Sequence, residues 1–467
     1  MVGISSIGVY VPRSRLDRAL VGKAWGKKQP PGEKAVAHFD EDALTMAVAA
    51  VLRCVDEAQA PTIDGLFFAS TSSPYREKQV ASFVATACDL PREILTADFT
   101  GSVRAGVSAL SAAIRAVQSG AAKRVVVAVA DCRPAEPEGD LEGVLGDAAV
   151  AVLVDAQGRL AAFDGAASVA EEFTFQWRTD QGGPVQSQDA RFSATHAYLR
   201  DLPEVIGHML NERGLGTEQV AALAVGHPDA RTAQDLAKAA GVDPKTQLVP
   251  SLSGAIGVTG SPDPLLLLGS ALERAKPGDA IVVGAFGEGA EALLFVAGEA
   301  AGPGACRPAL QAAIDDKLPL PTYEKYLKFR RILGQDDTPV EFVSNVAEHR
   351  EMQQDTRLYG SRCAGCGLVQ YPQARVCLAC KARSGLEPAK LRKRGVIFTC
   401  TMDHLAANLD HPMGMAVVDL DGGGRVYVQT TDAVPEAIRI GAPVELTFRR
   451  LHAGGENYNY YWKARPA

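Results

Sequence analysis

Four cysteines constrain this chain more than any other residues. In CAGCGLVQYPQARVCLAC they stand at 363, 366, 377 and 380, as two CxxC turns with ten residues between them. A CxxC turn lets two thiolates point at one ion, and two such turns complete a tetrahedral set with no position left for water, which is the closed, structural kind of zinc site. The spacing therefore predicts a zinc ribbon over 358–386, with Cys363, Cys366, Cys377 and Cys380 as ligands, and argues against a catalytic metal. The chain has nine cysteines in 467 residues, which is no disulfide density. With thiolate ligands among them, a reducing compartment is expected, hence the cytoplasm.

The rest of the chain has two textures. With 47% hydrophobic and 22% charged residues it has the composition of a globular protein, and its length calls for two or three domains. Up to about residue 302 it is rich in Ala, Gly and Val, and short apolar runs alternate with amphipathic segments, as in a layered α/β domain. GLFFAS (65–70), RVVVAVAD (124–131), AAVAVLVD (148–155), VAALAVG (220–226), AIVVGAF (280–286) and EALLFVAG (291–298) read as strands. They lack strict alternation, which fits sheets covered on both faces. DEDALTMAVAAVLRCVDEA and RTAQDLAKAAGVDP read as covering helices, the second ending on Gly and then Pro. AKRVVVAVAD…GDAAVAVLVD and GDAIVVGAFGEGAEALLFVAG each place two apolar strands around a turn, so one α/β unit is read as duplicated.

Residues 303–357 change character. The segment is Pro-rich and charged, a linker with short helices. Lys325, Lys328, Arg330 and Arg331 interleave there with Tyr323, Tyr326 and Phe329; they suit either a phosphate-bearing ligand or the covering of a domain junction. Beyond the ribbon, 387–467 holds Gly-punctuated strand patterns of a small β-barrel of the OB type. Its aromatics Tyr458, Tyr460, Tyr461 and Trp462 bunch in the last strand, and no strand face is basic. A net charge of -7 opposes a general nucleic-acid surface, though not a local basic patch. MVGISSIGVYVP has neither the basic nor the long apolar region of a secretory signal, and the richest apolar stretch is broken by Gly and Glu, so no membrane span is expected.

Several stretches carry a family likeness. Through ISSIGVYVPRSRL, STSSPYREK, VRAGVSAL, DARFSATHAYLR, AVGHPDARTAQDLAKAAG and KPGDAIVVGAFGEGAEALLF, with YEKYLKF of the following segment, residues 1–302 resemble the 3-hydroxy-3-methylglutaryl-CoA synthase branch of the thiolase superfamily. Through RCAGCG, CLAC and VDLDGGGR, residues 358–467 resemble the acyl-CoA-associated family that joins a rubredoxin-like zinc ribbon to an OB-fold. The resemblance implies a duplicated thiolase-like α/β/α/β/α domain followed by ribbon and barrel. It also implies a CoA thioester as ligand, structural zinc, a homodimer, and a separate thiolase subunit as a further partner, with no nucleic acid and no membrane.

The same resemblance implies a damaged active site. The synthases use a cysteine that attacks acetyl-CoA, a glutamate that deprotonates the acetyl methyl, and a histidine near the acceptor carbonyl. Here Val103 falls on the cysteine position and Thr71 on the glutamate position. His227 in GHPD matches the histidine, and Gly287 and Gly289 match a glycine turn beside the active site that helps form an oxyanion pocket, while the family's asparagine falls on an apolar position near Ile256. Ser102, one residue before Val103, is a weak candidate nucleophile. Cys132 follows a strand near the family's active-site edge but reads first as a buried structural thiol. Cys88, His196 and His208 read as structural, and His38, His349, His404, His411 and His452 show no metal or triad spacing. The expected function is C–C bond cleavage or formation on CoA thioesters, of aldol or Claisen type, without a covalent acyl-cysteine. The alternative is a non-catalytic acyl-CoA-binding or scaffold subunit of a thiolase complex.

Overall fold

The structure is a computed structural model that describes residues 1–179, 183–226, 229–333, 343–406, 410, 412–454 and 457–466. The chain forms two units, Met1–Ala37 with Asp42–Tyr326, and His38–Glu41 with Leu327–Ala467.

In the first unit each apolar run predicted as a strand is one. The sheet runs Val220–Val225, Ala280–Phe286, Gly289–Ala297, Ala161–Ala170, Gly3–Tyr10, Ala148–Asp155, Arg124–Asp131, Gly65–Ala69, Leu95–Phe99. Its two halves repeat one pattern. Gly65–Ala69 is parallel to Arg124–Asp131, which is antiparallel to Ala148–Asp155, which is antiparallel to Gly3–Tyr10. Val220–Val225, Ala280–Phe286, Gly289–Ala297 and Ala161–Ala170 repeat those three relations in order. A short pairing, Gly3↔Ala162 and Ile4↔Ala161, joins the halves.

Burial explains the missing alternation. Val125, Val127 and Val129 from one half and Ile281, Val283 and Phe295 from the other share one core with the helices Ala105–Gln118 and Asp263–Leu272. The second helix carries four consecutive leucines, 265–268, all buried; a helix that is apolar all round belongs between layers. The outer faces are covered by Ala43–Cys54 on one half and Leu199–Arg213 on the other, where Val282, Ala292 and Leu294 form a second core. Two β layers around a central helical layer, with helices outside, give α/β/α/β/α. Tyr323 and Tyr326 of the predicted linker are buried in this unit. Tyr323 donates to Glu142 at 2.6 Å, and Lys34 donates to Tyr326 at 3.2 Å.

The second unit carries a three-stranded ribbon sheet and a five-stranded barrel sheet, ordered Arg425–Gln429, Met413–Leu420, Arg394–Asp403, Pro443–Gly454, Asn457–Pro466. Here the strands do alternate: every second residue of MGMAVVDL is buried, as one solvated face requires. The sheet curls until Thr431 N donates to Ala464 O at 3.0 Å. Trp462, fully buried, packs edge-on to Phe448 at 5.1 Å. Gly422, Gly423 and Gly424 all have left-handed φ, so the DGGGR turn admits no side chain cheaply.

One charged cluster is invisible in the sequence. His38, Asp40 and Glu41, from the first fifth of the chain, are buried in this second unit. Asp40 accepts from Lys463 Nζ at 2.8 Å and from Thr431 Oγ1 at 3.0 Å, and binds His38 Nδ1 at 2.7 Å. Arg449 pairs with Glu41 and Asp432. Burial alone would push His38 down, but the charge and hydrogen bond of Asp40, with Asp410 and Asp432, raise it to about 10. Burial would push Asp40 up, but Lys463 first, then His38 and Arg449, overcome it and hold Asp40 well below the usual carboxylate range.

Candidate active site and metal centre

The strand Arg124–Asp131 ends in a buried carboxylate, and that carboxylate organises the STSS turn after Gly65–Ala69. Asp131 Oδ1 accepts from Ser70 Oγ at 3.0 Å, Thr71 N at 2.7 Å, Thr71 Oγ1 at 3.0 Å, Ser72 N at 3.0 Å and Ser72 Oγ at 2.8 Å. Its Oδ2 accepts from Ser261 N at 2.9 Å. Thr71, at the predicted general-base position, thus spends its hydroxyl proton on Asp131. Cys132 is half-buried and donates its N–H to Ser72 Oγ at 2.8 Å.

Val103 lies in the turn that enters the helix Ala105–Gln118, and its side chain lines a cavity of about 60 Å³. Phe175, Val258 and Phe286 supply further apolar wall, and Arg133, Gln176, Tyr198 and Asp263 the polar groups; no cysteine lines it among the described residues. Ser102 accepts from Arg104 N at 3.4 Å. The glycine turn shapes this spot. A side chain on Gly287 would meet Ser102 Oγ at 2.3 Å, and one on Gly289, whose φ is +96°, would meet the Val169 carbonyl at 2.1 Å. The Gly287 N–H donates to Gly289 O at 2.9 Å, within the turn.

His227 lies outside the described residues, as does His411. Gly226, just before His227, lines the cavity, and its carbonyl accepts from Tyr198 OH at 2.8 Å. Burial, with Asp263 and Asp229, holds the Tyr198 phenol well above its usual range, so it stays a neutral donor. Burial draws the Arg133 guanidinium down, against the pull of Asp131 and with the push of Arg178. Ile256, where an asparagine was expected of the family, is buried in the core. Cys88 is buried at the end of the helix Val80–Ala87, whereas His196 and His208 are exposed. Sequence reasoning missed Asp131, Arg133, Tyr198 and Asp263. The only local signal was an Asp closing an apolar strand, with an Arg two residues on.

In the second unit the four predicted metal ligands come together. Cys363 closes the strand Tyr359–Cys363, and their four sulfurs lie within 4.8 Å of one another. Cys363 and Cys380 sulfurs are 3.6 Å apart, and those of Cys366 and Cys377 3.5 Å. A tetrahedron of thiolates at about 2.3 Å from zinc has edges of about 3.8 Å, so the donor set fits that ion. The Cys380 N–H, ahead of burial, helps bring Cys377 down to about 6. Gln370 braces the second turn, donating to Val376 O at 3.1 Å and accepting from Leu378 N at 3.0 Å. Among the described residues, no helix is long and apolar enough to cross a membrane.

Known proteins resemble this chain in sequence and in fold. The family described as ChsH2, C-terminal OB-fold domain, matches residues 389–449. The hydroxymethylglutaryl-CoA synthase of Pyrococcus horikoshii is 31% identical over 339 residues, which is 71% of this chain and 93% of that protein. That of Pyrococcus furiosus matches equally, at 31% over 339 residues, 71% of this chain and 93% of that protein. Among solved structures, MvaS in complex with 3-hydroxy-3-methylglutaryl coenzyme A superposes with a TM-score of 0.61 at 22% identity, covering 73% of this chain and 94% of that one. An HMG-CoA synthase complexed with CoA gives 0.63 at 18% identity, over 74% of this chain and 94% of that one. The structural likenesses establish the thiolase-like fold, and the sequence likeness goes further: this chain belongs to the hydroxymethylglutaryl-CoA synthase family.

Proposed function

We propose that the first unit binds an acyl-CoA thioester and makes or breaks a C–C bond beside its carbonyl, in the aldol or Claisen sense, without a covalent acyl-enzyme. The observation that carries this reading is Val103, an alkyl side chain in the cavity wall at the helix entrance, where the family resemblance calls for a cysteine. Val has nothing to attack with. Ser102 would need a base to replace it, and among the described residues its one polar partner is the Arg104 N–H. Thr71 already donates its proton to Asp131 and is no base.

A retro-aldol step needs only a polarised thioester carbonyl and one acid/base group. In this reading His227 takes the proton of a β-hydroxyl, the Cα–Cβ bond breaks, and its electron pair goes to the thioester enolate, which is then protonated at carbon. The Gly287–Gly289 turn contributes by making room at Ser102 and shaping the oxyanion pocket. Residues 1–302 form the thioester-binding domain, 303–357 the linker, 358–386 the ribbon and 387–467 the OB domain. Zinc on Cys363, Cys366, Cys377 and Cys380 is structural. The protein works as a homodimer, with a separate thiolase subunit as partner.

Intact-mass analysis after incubation with acetyl-CoA is expected to show no acetyl adduct, and a stable adduct would overturn the proposal. Turnover of a β-hydroxyacyl-CoA by the protein alone, lost in His227→Ala, would support catalysis. The inert pair Val103 and Thr71 also favours a second reading, a non-catalytic subunit that holds acyl-CoA for a thiolase. Tight CoA binding with no turnover, alone or with that thiolase, would select it.

A further inference from the structure

We infer that Glu288 moves the proton at the acyl α-carbon, as base when a C–C bond is made and as acid when one is broken. This rests on the acyl-thioester reading above and supplies the group that its enolate step leaves unnamed. Glu288 is the tip of the turn that joins the strands Ala280–Phe286 and Gly289–Ala297. Its φ is +48°, a left-handed value that a glutamate rarely takes. Glycine stands on either side of it, and a third would meet this backbone without strain. A side chain kept at such a position, against the conformational cost, points to a use for that side chain.

The turn is pressed against the helix entrance. A Cβ on Gly287 would lie 3.4 Å from Val103 Cγ2 and 3.4 Å from Arg104 N. Glu288 follows one residue on, about 3.8 Å away, and its carbonyl accepts from Glu171 N at 3.4 Å, which ties down the tip. Val103 is cavity wall. A glutamate at this tip therefore stands within a side chain's length of an acyl group lying on Val103.

The carboxylates of this region differ in what occupies them. Asp131 accepts the six hydrogen bonds described above, Glu291 accepts from Ser108 Oγ at 2.7 Å, Asp263 accepts from Thr259 Oγ1 at 3.4 Å, and Glu171 lies 3.6 Å from Arg200. Glu288 is half-buried, and its Oε2 is shut away from solvent with no hydrogen-bond partner among the described residues. An enclosed oxygen without a donor costs free energy, and folds rarely leave one so. A base requires just that, a lone pair not already committed. Glu288 thus provides the acceptor that Thr71, at the expected base position, cannot.

In the condensing direction Glu288 takes a proton from the α-carbon, and the C–H electron pair becomes the thioester enolate. The enolate attacks the acceptor carbonyl, and His227 gives a proton to the new alkoxide. In cleavage each transfer reverses. His227 receives the β-hydroxyl proton, the Cα–Cβ electron pair passes into the enolate, and protonated Glu288 returns a proton to the α-carbon. One proton is taken and one is given, so exchange with water resets the pair.

The test is exchange of the α-hydrogens of acetyl-CoA and butanoyl-CoA for deuterium, with the full-length protein in D2O and proton NMR as the readout. Wild type is expected to catalyse the exchange. Glu288→Gln, which keeps the shape, should slow it at least about 100-fold and leave the affinity for CoA, read by titration calorimetry, unchanged. Glu288→Gly should also lose the exchange but melt at a higher temperature than wild type, because glycine relieves the backbone; a purely structural glutamate would not combine these two effects. Exchange that survives Glu288→Gln, or a wild type that binds the thioesters and exchanges nothing, would overturn this inference and leave thioester binding standing. Failure of CoA and both thioesters to bind would overturn the thioester reading and this inference with it. If Glu288→Gln does not fold, Glu288→Gly gives the same measurement of lost exchange.

Discussion

Replacing Asp131 by Ala is the most informative single perturbation of the site. Three of its six donors are backbone N–H groups, of Thr71, Ser72 and Ser261. The hydroxyls of Ser70, Thr71 and Ser72 can rotate to other acceptors, but the amides cannot move without moving the turn. Each buried N–H left without an acceptor costs about 1–3 kcal/mol. Thr71 is half-buried, so water recovers part of its loss, and the Ser72 N–H keeps Ser70 Oγ, at 3.0 Å, as a second acceptor. The sum for Asp131→Ala is therefore about 2–4 kcal/mol. Asp131→Asn keeps one oxygen for the crowded Oδ1 position and turns an NH2 group on the Ser261 N–H, one donor–donor conflict, so about 1–3 kcal/mol is expected. Urea denaturation followed by far-UV circular dichroism, with m compared between variants, reads both. An Ala variant within about 1 kcal/mol of wild type, or an Asn variant as damaging as Ala, would refute the view that this carboxylate serves as an amide acceptor. Ser261 adjoins Gly260 in the cavity wall, so CoA affinity should fall in step with stability.

Other perturbations follow from single contacts. Gly289→Ala combines a left-handed φ with a clash against the Val169 carbonyl and should cost about 2–4 kcal/mol, whereas Gly287→Ala meets only the rotatable Ser102 hydroxyl and should cost about 1 kcal/mol; paired thermal melts separate them. His38, raised to about 10 in the fold, contributes stability that is complete below its unfolded pKa of about 6.5 and fades as pH climbs through about 10. The difference between wild type and His38→Gln should be about 2–3 kcal/mol at pH 6 and shrink steadily towards pH 10; a difference that grows with pH would contradict the assignment. Elemental analysis should find about one zinc per chain, with Cys366→Ser losing most of it and a chelator unfolding the ribbon.

What was legible in the sequence was what is local. RVVVAVAD and AAVAVLVD announce themselves because a strand covered on both faces is apolar throughout, and the cysteine spacing of the ribbon is a matter of single turns. The strand Ala161–Ala170 went unread: AAFDGAASVA has few β-branched residues, and it is held in place by pairing with Gly289–Ala297. Val103 was legible through the resemblance of VRAGVSAL to the family's helix entrance. Arg133 was not, since its place in the cavity wall depends on Gln176 and Gly260, which are distant in sequence. The least readable part was His38–Glu41, whose acids find Arg449 and Lys463 some four hundred residues later.

That small peptide has a consequence for how the gene can be cut. A product beginning at residue 327 would carry the whole ribbon and barrel but would lack Asp40 and Glu41, taking the carboxylate partner from buried Lys463 and Glu41 from Arg449, which keeps Asp432. Fission into two independently inherited proteins would therefore first demand a new anion beside Lys463 within the released half, or a neutral replacement for it. Four residues act as a ratchet that holds the fusion together across generations.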